Sequence, residues 1–360
     1  MTVPSAAPTG PVEIVGTGLV GTSIALACRR AGVEVLLTDV SSEHVRTASG
    51  LGAGRPRVAA DRPQLVVVAV PPDRLGEEIV SALTAGDAVV TDVGSIKSQP
   101  LAHVLAAVDE HEAARYVGSH PMAGSERSGP LAASASLFDG RPWAVVPHAA
   151  AAPSATALVR GLAELCGAVP LELEAAEHDR AVARTSHLPH LAAVLVAGRL
   201  AGVPPRDLAL SGQGVRDVTR IAGSDPSLWE QIVSANAPAV LEVLGEVREQ
   251  LDVLIAAVDA GERTALHDVL ARGVRGTQAI PGKHGAPTRP MVAVFVAVPD
   301  HPGELARLFA DAGASEVNIE DVRIDHDPGR EVGQVELLVD EGRSQHLLDT
   351  LESRGWLTHR

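Results

Sequence analysis

The sequence predicts an α/β protein: a mostly parallel-sheet domain, then an all-α domain, then a small βαββαβ domain. Three observations carry this. Short apolar runs alternate with helical stretches up to about Glu174. No strand pattern occurs between Ala175 and about Ala271. Strand and helix patterns return after Pro290. The domains are expected at 1–174, 175–271 and 290–360, with a linker at 272–289 rich in Gly, Pro and basic residues.

In chain order, Val12–Val15 reads as a strand, Ser23–Ala31 as a helix with small residues, and Val33–Thr38 as a β-branched strand. Leu65–Val70 is continuously apolar, as a strand covered on both faces must be. Ala88–Thr91 is another such run; Tyr116–Val117, Trp143–Val146 and Val169–Leu173 are weaker. Ala181–Leu200 and Ala237–Val258 read as long helices, with Gly/Pro breaks at Ala201–Pro205 and Gly223–Pro226. Two long apolar helices in one domain need a partner surface, so this is expected to be a dimerisation domain in a homodimer. In the last part, Met291–Val298, Val317–Ile324, Val332–Val339 and Gly355–His359 read as strands. Gly303–Ala312 and Ser344–Ser353 read as helices, which gives the ferredoxin-like order.

Charge and composition remove several function classes. Among 360 residues, 30 basic and 45 acidic side chains leave a net charge of -15. Long-range repulsion then disfavours nucleic acid and anionic membranes as partners. Aromatics are only 2%, so the core is aliphatic and a base-stacking platform is hard to build. Cys28 and Cys166 have no metal-ligand or CxxC spacing, and no metal is expected. No basic-then-apolar leader and no apolar run near ~20 residues is present, so a soluble cytoplasmic protein is expected.

Gly16-Thr17-Gly18-Leu19-Val20-Gly21 follows a predicted strand and opens a predicted helix. In that context GxGxxG is a dinucleotide fingerprint, and the first domain is Rossmann-type. Gly16 makes the turn, Gly18 admits a pyrophosphate, and Gly21 allows close helix–strand packing. Leu19 and Val20 bring backbone N–H donors at the helix N-terminus. Asp39 ends the next strand, where its carboxylate accepts from a ribose 2′-hydroxyl and repels a 2′-phosphate. NAD is therefore expected over NADP. Asp92 and Ser95 lie at another strand's carboxyl end, where ligands bind, and also suit capping of the next helix. Lys97 reads as a solvated helix residue.

Several polar strings follow: Ser119-His120-Pro121-Met122-Ala123-Gly124-Ser125-Glu126, Glu177-His178-Asp179, Ser186-His187-Leu188-Pro189-His190, and Arg216-Asp217-Val218-Thr219-Arg220 with Asp225-Pro226 and Trp229. Together with Asp92–Lys97 they resemble the prephenate dehydrogenase family from about Val12 to Ala271. Asp300-His301-Pro302-Gly303-Glu304-Leu305 and Val317-Asn318-Ile319-Glu320 resemble an ACT domain.

The resemblance implies NAD-dependent oxidative decarboxylation of prephenate to 4-hydroxyphenylpyruvate in tyrosine biosynthesis, or of arogenate to tyrosine. It makes His120 the base that takes the substrate hydroxyl proton, with Ser95 orienting it and His187 a second active-site histidine. Arg220 would bind a substrate carboxylate, with Glu126 at the pocket mouth and Ser125 and Asp217 among the substrate contacts. Tyrosine would be an effector at the ACT-like domain. Helix geometry leaves one choice open. At about 100° per residue, Asp179, Ser186 and His190 share a face and His187 is turned away, so the spacing favours His190 where the family favours His187.

Overall fold

The computed structural model describes residues 6–123, 128–280, 290–326 and 332–360. The chain forms two compact units, one up to Leu251 and one from Asp252.

The first unit opens with β1 (Val12–Val15), α1 (Leu19–Arg30), β2 (Val35–Thr38), α2 (Ser42–Gly50), β3 (Arg55–Pro56), β4 (Leu65–Val68), α3 (Leu75–Thr84) and β5 (Val89–Asp92). The five strands form one parallel sheet in the order β3-β2-β1-β4-β5. Alternation within β4 shows why its sequence is uniformly apolar. Leu65 and Val67 enter the core shared with α1, while Val66 and Val68 enter the core shared with α3. Each such buried side chain contributes about 1.5–3 kcal/mol.

α4 (Ser98–Ala107), α5 (Glu110–Ala113), β6 (Gly118–Pro121), β7 (Pro142–Val146), α6 (Pro153–Leu165) and β8 (Val169–Glu172) follow. Here the fold departs from a single, mostly parallel sheet. β6, β7 and β8 form a separate three-stranded sheet in which β6 and β7 are antiparallel. A lone parallel bridge, Val90 to Tyr116, joins the two sheets. The entry to β6 thus runs beside β5, and Ser119, next to His120 on β6, donates to the carbonyl of Asp92 (2.8 Å).

Among the described residues, only helices occur from Ala175 to Gln278. α7 (Ala175–Val182) does not run straight into α8 (Leu188–Leu200). A π-helical turn, Ala183–His187, separates them. The single helix expected over 181–200 fails at Pro189, which has no N–H to return to the carbonyl of Thr185, and the backbone widens just before it. Next come α9 (Pro205–Leu208), α10 (Gln213–Thr219), a 3₁₀ turn at Arg220–Gly223, α11 (Pro226–Ala235) and α12 (Ala237–Asp259). Ala183 packs with Ala239, Val240 and Val243 of α12.

The second unit contains α13 (Arg263–Gln278), so residues 272–278 of the expected linker are helical. Glycine costs about 1 kcal/mol in a helix, too little to end one already under way at Arg263. Residues 281–289 lie outside the described residues. β9 (Met291–Pro299), α14 (Glu304–Gly313), β10 (Ile319–His326), β11 (Val332–Asp340), α15 (Glu341–Ser353) and β12 (Leu357–His359) complete it. The strands pair antiparallel in the order β10-β11-β9-β12, the expected βαββαβ arrangement. Val294, Val296, Val335 and Leu337 face Leu308 of α14 and Leu347 and Leu351 of α15 across its core.

Candidate active site

The fingerprint loop is shaped by three glycines with three different surroundings. Gly16 has φ +99°, and a Cβ there would lie 2.3 Å from the carbonyl oxygen of Ala69. A Cβ on Gly21 would lie 2.0 Å from the carbonyl oxygen of Gly16 and 3.0 Å from Ile14. A Cβ on Gly18 would meet nothing within 4 Å. Gly18 caps α1, and no side chain caps the helix there. Two glycines are thus required by the fold, and one leaves space at a helix N-terminus suited to phosphate. Leu19 turns its side chain into the protein, while Val20 is half-buried.

At the end of β2, Asp39 accepts from Thr17 N–H (2.6 Å), Thr17 Oγ1 (3.0 Å) and Ser41 N–H (2.7 Å). Thr17, not anticipated from the sequence, therefore ties this carboxylate to the fingerprint loop. An uncapped helix end, an open approach and a fixed carboxylate fit a dinucleotide with a free ribose diol.

Asp92 has a different role from the cofactor contact expected of it. Its carboxylate is fully buried, pairs with the ammonium of Lys97, and accepts from Tyr116 Oη (2.8 Å) and Gly94 N–H (2.9 Å). Lys97 is correspondingly no solvated helix residue: it precedes α4 and is 1% exposed. Burial lowers its pKa and Asp92 opposes that. Burial raises the pKa of Tyr116, and Asp92 adds to the effect. The pairing escapes sequence reading because β5, α4 and the entry to β6 meet only in space.

Above this pair lies a line of imidazoles. His120 Nδ1 is 3.0 Å from Nε2 of His178, whose Nδ1 is 2.9 Å from Oδ1 of Asp179. Asp179 also accepts from the backbone N–H groups of Lys97 and Ser98, both at 2.8 Å, so its oxygens hold the start of α4. Asn236 at the end of α11 donates to the carbonyl of Asp179 (2.9 Å) and lies 3.2 Å from Nδ1 of His187.

Burial first, and then the neighbouring His178, Lys97 and His187, push the His120 pKa well below 6.5, against an upward pull from Asp179. His187 is lowered to about 4, chiefly by burial, with Asp179 opposing. For Asp179, burial works upward but is outweighed by hydrogen bonds from His178, Ser98 and Lys97, which hold it at about 2.

Other expected residues are placed less tightly. Ser95 Oγ is buried and has no hydrogen-bond partner among the described residues, so it does not bond His120 here. His187 and His190 are both buried, and both meet Trp229. His187 meets it edge-on, with ring centroids 6.1 Å apart, and His190 stacks on it at 3.5 Å. The π turn lets both rings reach Trp229. Arg220 is exposed at the start of its 3₁₀ turn, with no ion pair among the described residues. That turn packs against α8. Asp217 is exposed and accepts from Gln213 (3.0 Å). Ser125 and Glu126 lie outside the described residues. His178 had no distinguishing signal in the sequence, because adjacent helical residues do not normally face each other.

Residues 24–172 match the model for the prephenate dehydrogenase nucleotide-binding domain, and residues 174–272 match that family's dimerization domain. Probable prephenate dehydrogenase NovF of Streptomyces niveus is 36% identical over 95% of this chain and 98% of its own length. Prephenate dehydrogenase from A. aeolicus, solved with hydroxyphenyl propionate and NAD+, superposes with a TM-score of 0.68 at 26% identity, covering 76% of this chain and 99% of that one. Synechocystis arogenate dehydrogenase gives 0.62 at 26% identity, covering 74% and 99%.

Proposed function

Because the chain belongs to the prephenate dehydrogenase family, we propose that it oxidises prephenate with NAD and releases CO2, forming 4-hydroxyphenylpyruvate for tyrosine biosynthesis. The observation that carries this reading is His120, an imidazole kept neutral by burial and backed by His178 and Asp179, on a strand that borders the same parallel sheet whose β1 ends at the open Gly18.

NAD would be held by Gly16, Gly18 and Gly21, the N–H groups of Leu19 and Val20, and Asp39; when bound it supplies the two-electron acceptor. His120 receives the ring hydroxyl's proton as the carbinol C–H bond gives up its electron pair. The bond to the ring carboxylate then breaks, its pair enters the ring, and CO2 leaves. Once the ring is aromatic, His120 returns the proton to the phenol oxygen. General base help of this kind is worth about 10²–10⁴-fold. Ser95, with its unsatisfied hydroxyl, supplies a hydrogen bond to the substrate oxygen. Arg220 presents a planar fork to a carboxylate. His187, Glu126, Ser125 and Asp217 are assigned to the surrounding pocket. Arogenate shares the reacting ring and is the second candidate substrate, supported by the resemblance to the Synechocystis structure.

We assign residues 290–360 to an ACT-like domain that binds tyrosine. The βαββαβ order and Gly303, held at φ +96° ahead of α14, support this. Exposed apolar residues on the helices, among them Leu195 and Leu241, support a homodimer.

Steady-state NADH production with prephenate and with arogenate, using NAD and NADP in turn, tests the activity. Turnover is expected with NAD and at least one of the two acids. His120→Asn is expected to lower kcat by at least about 10²-fold while NAD still binds. No NADH from either acid, or unchanged kcat in that variant, overturns the reading. Calorimetry with tyrosine tests the C-terminal assignment, and absence of heat removes it.

A further inference from the structure

With His178 neutral, hydrogen-bond chemistry fixes the direction of the line from His120 to Asp179. Asp179 is ionised, and a carboxylate only accepts. The proton between it and His178 therefore sits on Nδ1 of His178. A neutral imidazole with Nδ1 protonated has an Nε2 that can only accept. The bond at 3.0 Å to His120 must then be donated by Nδ1–H of His120. That leaves the lone pair of His120 on Nε2.

We propose that His178, oriented by Asp179, is a positioning residue that holds His120 in the Nδ1–H tautomer, with the basic Nε2 turned to the substrate hydroxyl. This rests on the reading of His120 as the base. The fold invests in the arrangement: Asp179 is fixed by two backbone N–H groups at the start of α4, and its carbonyl is held by Asn236. His178 is buried. At 1% exposure and bonded to His120, it acts through His120. As the proton arrives on Nε2, the Nδ1–H···Nε2 bond shortens the reach of the new positive charge to Asp179. A serine partner is not needed for this, which accounts for the unengaged hydroxyl of Ser95.

The test uses the full-length, NAD-bound protein with 15N-labelled histidine. In the wild type, the His120 ring is expected to show Nδ1 protonated and Nε2 bare; the opposite pattern overturns the proposal without any variant having to fold. His178→Asn keeps a donor for Asp179 but has no atom at the Nε2 position. It is expected to release His120 to the Nε2–H form and to lower kcat by about 10²-fold, with an unchanged KM for the acid. His178→Gln, which places an acceptor near His120, is expected to recover part of that loss. Wild-type kcat in His178→Asn overturns the proposal. A dead His120→Asn beside a fully active His178→Asn sinks this inference alone, whereas an active His120→Asn sinks the assignment of the base.

Discussion

Lys97 and Asp92 show what a single residue can cost. Both are buried, and removing one partner of a buried pair leaves an uncompensated charge. Lys97→Met is expected to lower stability by about 3–5 kcal/mol in urea unfolding, and adding Asp92→Asn should recover part of it. His120 makes a pH prediction. Its lowered pKa keeps it neutral, and so able to accept a proton, below the usual histidine range. The groups around it are His178 and Asp179 on α7, His187 on the π turn and Lys97 ahead of α4. The acidic limb of kcat/KM should therefore fall below pH 6.5, and a midpoint above that value would contradict the buried, neutral imidazole. His187 affects stability in the same direction. Between pH 6.5 and about 4 the unfolded chain binds its proton and the folded chain does not. Stability should thus be full above 6.5 and fall by about 3 kcal/mol as the pH drops through that window, as thermal melts would show.

At the scale of elements, the fingerprint turn separates folding from binding. Gly21→Ala drives a methyl into the carbonyl of Gly16, so both Tm and NAD affinity should fall. Gly18→Ala meets open space, so Tm should hold while the dissociation constant for NAD rises. A titration that leaves NAD affinity intact in Gly18→Ala would move the pyrophosphate elsewhere. The turn was legible because its signal is local, a short apolar strand, three glycines and a helix. β4 and β9 were legible for the same reason, the first as an unbroken apolar run at Leu65–Val68 and the second by alternation over Met291–Val298, whereas β3 (Arg55–Pro56) carries no such signal. The break at Ala183–His187 was not, because whether Pro189 opens a helix, kinks it or widens it depends on what packs beside it, here Val240 and Val243. His120 was legible as a histidine in a polar string just past a strand, though it lies on β6 itself and not in the loop expected for it. Its partner was not, because 58 residues separate it from His178 and the contact exists only once β6 lies beside α7.

For the whole molecule, the exposed apolar positions on α8 and α12 bear on assembly. Leu195 and Leu241 are 67% and 68% exposed. Sedimentation is expected to give twice the 37.1 kDa chain mass, and Leu241→Glu should shift it toward the single-chain value. The scarcity of aromatic rings has its own consequence. The three tryptophans are divided among three environments. Trp143 is packed against Phe138 in the nucleotide-binding part, Trp229 is stacked on His190, and Trp356 lies under the guanidinium of Arg307, 4.1 Å from its centroid. Intrinsic fluorescence therefore resolves into three native reporters, each isolated by replacing the other two with phenylalanine. The emission of Trp229, quenched when its stacked imidazole gains a proton, would follow events at the histidine cluster without any label.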